Sequence, residues 1–510
     1  MEDNSSIHSS LNHHRYATFA IVTFLIILTI GVVFISQQFQ HQLVAISQSK
    51  AAEPTLAGTN TFTHGPLVGA VSDTSATVWV RIQEAKTNQN LSVSLKSQTA
   101  GEAVKTASLI PVHFTTDSGW DYTWKAEVEN LTPLTTYIVN VRNNGINLAP
   151  PIGKKTQFKT FASKGVDKDF KIHIFTDFGT KNSSQDYVVT NTFPSAASEP
   201  IKPDMVVVGG DFWHFNSAQG LKPDQLNKFI KNQQQYFKYS YMLNSPIAPL
   251  DDFVSQFLAN YPLVHFFDDH DQGLNNTDKT FQWKTQSIQV LKDFFPVYQE
   301  ESMTNGDWQQ FSYGQADFFV LDTRSQRDPN STADGPAKSM LGQEQLQFLK
   351  NGLISSTAKW KIIFSPSPFN PTLPKNDAWA GFKFEHDDIV NFVKTNGTQG
   401  VIVISGDAHA GGIDDGTNAG LAELFVPSPN VDHCATVGPT LGTWSHGSYG
   451  TADHGGDDPP CPGYGTVRIL TNPDRAVLRV KDDNGRKKLM YRYFLNPQDS
   501  QRYKNLAEDE

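Results

Sequence analysis

Four short apolar segments of this chain each end at an aspartate. The segments are KIHIFTDFG, DMVVVGGDFWH, PLVHFFDDHD and VIVISGDAH, and their acids are Asp177, Asp211, Asp269 and Asp407. Each run is rich in Val, Ile and Phe, which is typical of a strand buried on both faces. The acids then lie at the carboxyl ends of the strands, the edge at which open α/β sheets bind ligands. Carboxylates crowded at one edge repel one another, so the pattern predicts a polar pocket that holds metal ions.

A single acid after a strand has an ordinary alternative role as a turn former or a helix cap. The run Asp-Asp-His-Asp at 268–271 is harder to explain in that way, because it puts three carboxylates and an imidazole directly after an apolar strand. As plain surface, such a run would repel itself. Its position therefore favours the metal pocket.

Composition narrows the class of protein. The chain has 510 residues, of which 38% are hydrophobic and 18% are charged, as in a globular protein of two or three domains. Its net charge of -10 argues against nucleic acid as a partner. The same charge gives an anionic substrate no overall attraction, so bound metal ions would have to supply it locally.

Residues 17–35 form an uninterrupted apolar stretch of 19 residues, which is long enough to span a bilayer once. Arg15 precedes the stretch and the next basic residue of the Lys or Arg type is Lys50, so the charge bias favours residues 1–16 in the cytoplasm. We therefore expect a single-pass anchor in the cell or inner membrane, with the catalytic domain outside the cytoplasm (periplasmic or extracellular). A cleaved signal peptide is the alternative.

The chain contains two cysteines, Cys434 and Cys461. In an exported chain, one pair allows one intramolecular disulfide. Two free thiols in a reducing compartment are the alternative.

The remaining sequence divides by pattern. Residues 36–60 are rich in Gln, Ser, Ala and Thr without periodicity, which indicates a linker. Residues 61–162 contain short alternating segments between turns, which predicts a small fibronectin III-like β-sandwich of about seven strands. Residues 165–495 alternate strands with helix-like segments, which predicts a layered α/β domain of mixed β-sheets flanked by helices. Residues 496–510 form a polar tail. The predicted fold class is thus an α/β catalytic domain preceded by an all-β sandwich and one transmembrane helix.

The ordered motifs TDFG, GGDFWH, DDHD and GDAH resemble those of the calcineurin-like metallophosphoesterase superfamily, which includes the purple acid phosphatases. The wider context resembles the alkaline phosphatase D family of that superfamily. The segments that carry this resemblance are GPLVGAVSDTSATVWVR, Asn275-Asn276 after DDHD, VLDTRSQRD, LGQEQLQFL and SGDAH. The resemblance covers about residues 62–480 and implies a dinuclear metal-dependent phosphatase or phosphodiesterase.

The resemblance also implies roles for individual residues. Asp177 is similar to a ligand of the first metal, and Asp211 to the carboxylate that bridges both metals. Asp269 lies where the superfamily usually has an Asn ligand of the second metal. Asp407 and His409 resemble the last pair of ligands, one to each metal. His270 corresponds to the catalytic histidine beside the substrate.

Two positions depart from the pattern. His214 stands where purple acid phosphatases have a Tyr ligand to ferric iron, so manganese, zinc or ferrous iron suits that metal better, unless His214 is a pocket residue that binds no metal. Ser365 and Ser367 lie near the place of a further His ligand. At the second metal, oxygen ligands favour a hard divalent cation such as calcium, magnesium or manganese.

The mechanism that the resemblance implies is in-line attack of a metal-bound hydroxide on a phosphate ester, with His270 assisting the leaving oxygen. Arg324 is a candidate for bidentate contact with the phosphate, or else it holds a structural salt bridge. The expected partner is a small phosphate-ester substrate. One alternative is a phosphodiesterase restricted to lipid headgroups or polymer phosphodiesters. Another is a catalytically degenerate binding or adhesion protein on the same fold. A carboxylate-pair glycosidase is disfavoured by the histidines.

Overall fold

The computed structural model describes only part of the chain, and all of that part belongs to one unit, Ala57–Glu510. The described residues are 62–82, 90–99, 101–112, 122–148, 156–178, 190–212, 216–240, 253–298, 305–430, 442–450 and 461–503.

The strands form three sheets. In chain order they are β1 Phe62–Gly69, β2 Ala76–Ile82, β3 Leu91–Ser97, β4 Lys105–Ser108, β5 Ile110–Pro111, β6 Thr123–Val128, β7 Thr136–Asn143, β8 Ile146–Asn147, β9 Thr156–Lys159, β10 Phe170–Phe175, β11 Met205–Val208, β12 Leu263–His265, β13 Gln309–Tyr313, β14 Ala316–Val320, β15 Trp360–Ser365, β16 Val401–Ser405, β17 Gly411–Asp415, β18 Ala422–Phe425, β19 Ser448–Tyr449, β20 Gly463–Leu470, β21 Arg475–Asp482 and β22 Lys487–Phe494.

The helices lie between strands of the α/β part and at its end. They are α1 Thr192–Ser198, α2 Leu226–Ser240, α3 Asp269–Gln272, α4 Lys284–Phe294, α5 Gly342–Ser355, α6 Lys383–Thr395 and α7 Pro497–Arg502. A π-helical turn at Val254–Leu258 and a 3₁₀ turn at Trp379–Phe382 complete the set in the described residues. The helices α2, α4, α5 and α6 lie within residues 165–495, where the sequence predicts helix-like segments between strands.

Two large sheets build the α/β part. One has ten strands in the order β22-β21-β20-β10-β11-β12-β1-β2-β6-β5, and the other has seven in the order β13-β14-β15-β16-β18-β17-β19. The strands β10, β11 and β12 are parallel, as are β14, β15, β16 and β18. The four predicted acid-ending strands are therefore β10, β11 and β12 in the first sheet and β16 in the second.

The β-sandwich region is joined to the catalytic sheet. Its first strand, β1, pairs in parallel with β12, with Gly69 opposite Leu263, so β1, β2, β6 and β5 extend the ten-stranded sheet. The opposite sheet contains β4, β3, β7 and β8, with β9 beside β7. Gly69 is required at this joint, because a Cβ there would lie 2.5 Å from the carbonyl oxygen of Pro296.

The predicted fold class is wrong in one respect, the transmembrane helix. Within the part of the chain that the structure describes, every helix is too short or too polar to cross a bilayer. Residues 17–35 themselves lie outside the described residues.

An aromatic core packs under the ten-stranded sheet and supports the site. Phe175, which ends β10, contacts the rings of Phe193, Phe253 and Phe257 at centroid distances of 5.3, 5.7 and 5.1 Å. All four side chains are fully buried. Burial of one such ring contributes roughly 1.5–3 kcal/mol, so this core fixes the carboxyl end of β10.

Cys461 is disulfide-bonded, which excludes a free thiol at that position. Cys434 lies outside the described residues.

Candidate metal centre

The predicted acids follow the carboxyl ends of parallel strands in the two large sheets. Asp177 follows β10, Asp211 follows β11 and Asp269 follows β12, while Asp407 comes from the other sheet after β16. Short backbone bonds join the first two loops: the N–H of Phe178 donates to Asp211 O at 2.6 Å. The N–H of Asp407 donates to Asp177 Oδ2 at 3.1 Å and links the two sheets.

The backbone at the site is strained. Asp177, Asp211, Asp407 and His409 have φ angles of 60, 48, 70 and 51°, in the left-handed region that residues other than glycine rarely adopt. Such strain costs on the order of 1–3 kcal/mol per residue and tends to occur at functional sites. Four strained residues at neighbouring strand ends thus mark this edge as functional, independently of side-chain chemistry.

Four carboxylates converge between the sheets. Asp211, Asp268, Asp269 and Asp407 each offer an oxygen, and these oxygens lie within 4.8 Å of one another. A second group, equally close, joins Asp211 and Asp269 to a ring nitrogen of His270. The structure thus brings Asp211, Asp269, His270 and Asp407 together.

The two other predicted ligands in the described residues lie beside this cluster. The carboxylate of Asp177 is fully buried, and His409 Nε2 lies 3.9 Å from its Oδ1. This pair is close enough to share one cation. His214 lies outside the described residues, so its predicted role stays a prediction.

Asp268 belongs to the cluster although sequence reasoning did not choose it. It is the N-cap of α3, where it and Asp271 form a capping box, so the helix-cap alternative applies to this acid. Its Oδ2 is buried and accepts no hydrogen bond within the described residues. The only sequence signal was the Asp-Asp-His-Asp run, which does not say which of its acids faces the pocket.

Two cations lie against the carboxylates. Arg324 is fully buried and contacts Asp268 through Nε, Asp407 at 3.2 Å and Asp269 at 3.6 Å. Lys375 Nζ lies 2.5 Å from Asp407 Oδ2. Arg324 therefore forms a structural salt bridge, which was the alternative to phosphate contact, and its partners are acids of the cluster. Its contact with phosphate stays a prediction. Lys375 carried no sequence motif.

The electrostatics of the cluster favour an additional cation. Burial raises the pKa of Asp211, and Asp269 and Asp268 raise it further. Burial also raises the pKa of Asp268, against the opposing effect of Arg324. Burial raises the pKa of Asp407 to about 6, although Lys375 and Arg324 act to lower it. For Asp269 alone, Arg324 and His270 outweigh burial and lower the pKa.

These side chains fit divalent cations. Four buried carboxylates share only two cationic side chains among the described residues, those of Arg324 and Lys375. Negative charge in the cluster therefore remains to be balanced. Carboxylate oxygens are the ligands of calcium, magnesium and manganese, and an added imidazole suits manganese, zinc or iron. The site around Asp211 is of the first kind, and the pair Asp177 and His409 is of the second.

Asp271 positions the cluster without joining it. Its Oδ2 accepts the backbone N–H groups of Asp211 and Asp268, both at 3.0 Å, and its Oδ1 accepts the hydroxyl of Tyr236 at 2.9 Å. One carboxylate thus ties the loop after β11 to the loop after β12. Sequence reasoning missed this role, because the partners are 35 and 60 residues away.

Backbone groups also orient Asp269. The N–H of Asn276, a residue with a left-handed φ of 59°, donates to Asp269 Oδ2 at 2.6 Å. The N–H of His270 donates to Asp211 Oδ1 at 3.0 Å and to Asp269 Oδ1 at 2.8 Å. Asn276 therefore acts in a turn that also orients a predicted ligand.

Ser365 and Ser367 serve the loop after β15. The Ser365 hydroxyl donates to Ser367 O at 2.7 Å and accepts from Trp379 Nε1 at 3.0 Å. Both serines are fully buried. Their hydroxyls hold this loop against the 3₁₀ turn.

Glu423 on β18 supports the same edge from beneath and carries a pH-dependent prediction. Its Oε1 accepts the Ser405 hydroxyl and, at 2.8 Å, the N–H of Phe369. Burial raises the pKa of Glu423 to about 7. When an acid has a higher pKa in the folded than in the unfolded protein, its protonated form stabilises the fold. That contribution is full below the unfolded pKa and is lost as the pH rises through the folded pKa.

The Glu423→Gln variant should therefore unfold at a higher temperature than the parent at pH 8.5, and at an equal or lower temperature at pH 5. Each pH unit between the unfolded and folded pKa costs the parent up to about 1.4 kcal/mol of stability. Thermal unfolding of metal-free protein at both pH values measures the difference. A destabilisation of the variant that is the same at both pH values would contradict the assignment.

Comparisons with known proteins agree with this architecture. Residues 181–428 match the model of the family described as PhoD-like phosphatase. Alkaline phosphatase D of Bacillus subtilis (strain 168) is 32% identical over 185 residues, which are 30% of this chain and 32% of that protein. The matched stretch thus spans about a third of the curated relative.

Two solved structures have a similar fold. A structure of PhoD superposes with a TM-score of 0.65 at 16% identity, covering 86% of this chain and 92% of that one. The purple acid phosphatase PPD1 from yellow lupin (Lupinus luteus) seeds superposes with a TM-score of 0.59 at 14% identity, covering 86% and 76%. At these identities the two structures establish the fold.

Proposed function

We propose that this chain is a metal-dependent phosphoesterase of the PhoD-like phosphatase family that hydrolyses phosphate esters at the strand-end cluster, as the match of residues 181–428 to that family's model supports. The observation that carries the proposal is the convergence of Asp211, Asp268, Asp269 and Asp407 within 4.8 Å, with His270 beside them. A protein that only binds a ligand has no need of this costly arrangement. A dinuclear centre needs a shared carboxylate, and Asp211 belongs to both close groups.

The proposed ligand sets follow the two halves of the site. Asp177 and His409 would hold one ion, of manganese, zinc or iron, with Asp211 shared between the two ions. Asp211, Asp269 and Asp407, with Asp268 as an added candidate, would hold a hard divalent cation. Bound ions would lower the pKa of water and neutralise phosphate charge.

The chain's own residues have distinct tasks in this proposal. The imidazole of His270 lies among the carboxylates, where it can stabilise or protonate the leaving oxygen. Arg324 and Lys375 hold Asp407, and the buried guanidinium offers planar donors to a phosphate oxygen. Burial of the cluster keeps bulk water from screening these charges.

The disulfide at Cys461 supports action in an oxidising compartment, since such bonds persist outside the cytosol. We therefore propose an extracytoplasmic place of action.

Removal and return of metal tests the phosphoesterase. The full chain is stripped with a chelator, dialysed, and reloaded with calcium, magnesium, manganese, zinc or iron, singly and in pairs. Turnover is measured on para-nitrophenyl phosphate and on its bis ester. We expect activity to fall to background without metal and to return with a pair that contains one hard cation. Full activity in the stripped protein would overturn the proposal.

The same assay separates the alternatives. Turnover of the bis ester alone would identify a phosphodiesterase, and vesicle lipids or a glycerol-phosphate polymer would then be the next substrates. Metal binding by calorimetry without turnover of either ester would identify a degenerate binding protein.

A further inference from the structure

The β-sandwich region contacts the catalytic part at the carboxyl end of α4. The indole N–H of Trp79, on β2, donates to Asp293 O at 2.8 Å. The ammonium group of Lys125, on β6, donates to Phe295 O at 2.6 Å and also to Lys292 O. Two sandwich strands thus hold the end of a helix that belongs to the catalytic domain.

These bonds act as a helix cap that a distant part of the chain supplies. The last four carbonyl groups of a helix have no partner within the helix. Lys292 O and Asp293 O are two of these groups in α4, and they accept from side chains 167 and 214 residues away. A cation at this end also interacts favourably with the helix dipole. The sandwich therefore completes α4.

The position of Lys125 requires these partners. Burial lowers the pKa of its ammonium group to about 8, although Asp293 and Asp307 act to raise it. A buried cation is unfavourable unless it is hydrogen-bonded, and the carbonyl groups of α4 provide the bonds. Beside it, the fully buried ring of Trp79 lies 5.9 Å from the ring of Phe294. The joint is thus both packed and hydrogen-bonded.

The first turns of α4 contact the segment that carries the proposed metal ligands. The hydroxyl of Ser287, which is fully buried, lies 2.8 Å from Gln272 O and 3.0 Å from Asp271 O, both of which are acceptors. The carboxylate of Asp271 in turn accepts the backbone N–H groups of Asp211 and Asp268. One helix therefore connects the sandwich to two of the loops at the metal centre.

We propose that the β-sandwich region is a positioning element of the catalytic centre, with Lys125 as its contact and α4 as the connecting helix. The inference rests on the proposed phosphoesterase function, because it assigns the sandwich a task in that site. Lys125 acts through α4, through Ser287 and through the backbone at Asp271. Loss of its bonds frees the end of α4, and the segment 268–273 then loses part of its support. A ligand set works only when surrounding groups hold it in place.

Hydrogen exchange and metal titration of the full chain test this proposal. The test variant is Lys125→Met, which keeps most of the apolar stem and removes the donor. The matched control is Lys96→Met, the same change at an exposed residue on β3 in the opposite sheet of the sandwich. Ser287→Ala breaks the other end of the path, and a double variant combines Lys125→Met with Ser287→Ala. Circular dichroism checks that all variants keep the fold.

The exchange experiment uses metal-free protein and follows two amides at α3. The N–H groups of Gln272 and Gly273 donate to Asp268 O and Asp269 O, so their exchange reports opening of this segment. We expect exchange at least about tenfold faster in Lys125→Met, an acceleration larger than that of the amides of β16, and no change in Lys96→Met. Equal acceleration in α3 and β16 would indicate a general loss of stability and overturn the proposal.

The titration measures affinity for manganese by calorimetry. We expect a loss of about tenfold in Lys125→Met and in Ser287→Ala, the lower end of what outer-shell partners cost. The double variant should lose little more than either single variant, because both changes break one path. At saturating manganese, kcat for para-nitrophenyl phosphate should fall in Lys125→Met while KM stays at the parental value.

Additive losses in the double variant would overturn the proposal, as would parental exchange and affinity in Lys125→Met. A chain without turnover in every form would refute the phosphoesterase function alone. The exchange experiment would still decide the role of the sandwich, because it needs neither metal nor substrate.

Discussion

Replacement of Asp211 by Asn should lower turnover of para-nitrophenyl phosphate by more than about 100-fold, beyond the 10–100-fold that loss of an outer-shell partner costs. Asp211 belongs to both close ligand groups, so one lost charge weakens both proposed metal positions. Asn keeps the shape of the side chain, and its Oδ1 can still accept the N–H of His270 that Asp211 accepts at 3.0 Å. The change thus isolates the charge.

The same variant should be more stable than the parent when metal is absent. Asp211 is buried near three other carboxylates, so its charge is repelled in the metal-free fold. Removal of that charge relieves the repulsion. Urea unfolding with chelator present measures the gain, and the same titration with metal should reverse the order of stability.

A matched control uses a buried acid outside the centre. Burial raises the pKa of Asp293 to about 7, and Asp293→Asn should change stability without changing turnover or the response to metal. If Asp211→Asn retained parental turnover, Asp211 would not be the shared ligand and the two-metal proposal would fail.

The strand ends were predictable from the sequence because their signal is local. A buried parallel strand appears as a short apolar run, and the residue after it must lie at the sheet edge. The positions of Asp177, Asp211, Asp269 and Asp407 at strand ends could therefore be predicted from the short apolar run that precedes each of them. The helix segments were predictable for the same reason, since amphipathic spacing is read within one segment.

The missed features depend on contacts between distant segments. Lys375 reaches Asp407 across 32 residues, and Asp271 joins partners from two loops. The pairing of Gly69 with Leu263, which merges the sandwich strands into the catalytic sheet, has no local signature. That Asp268 joins Asp269 in the cluster also required the structure, because it depends on how the start of α3 places each side chain.

Replacement of Arg324 by Gln should have the largest effect on the stability of the metal-free protein. The guanidinium is fully buried and lies against Asp268, Asp269 and Asp407. Removal of one partner from a buried charge cluster typically costs about 3–5 kcal/mol, because the remaining charges are left unbalanced. Urea unfolding in the presence of a chelator measures this loss.

Metal should restore much of that stability, because a divalent cation balances the same carboxylates that Arg324 contacts. Arg327 provides the control three residues later. It is also fully buried, but its Nη2 donates to Asn330 Oδ1 at 2.6 Å and to Asp377 O at 2.9 Å, and Asp407 and Asp268 act on it only through longer-range electrostatics. Metal should therefore restore less stability to Arg327→Gln than to Arg324→Gln, whose guanidinium contacts the carboxylates directly.

The comparison of the two arginine variants also separates the two roles of Arg324. A residue that only positions the carboxylates would change metal affinity and kcat while leaving KM for para-nitrophenyl phosphate and inhibition by inorganic phosphate near the parental values once metal is saturating. A residue that contacts phosphate would raise KM and weaken that inhibition under the same conditions. If Arg324→Gln and Arg327→Gln respond to metal alike, the cluster does not depend on Arg324 for its charge balance, and the assignment of this arginine to the metal centre would be wrong.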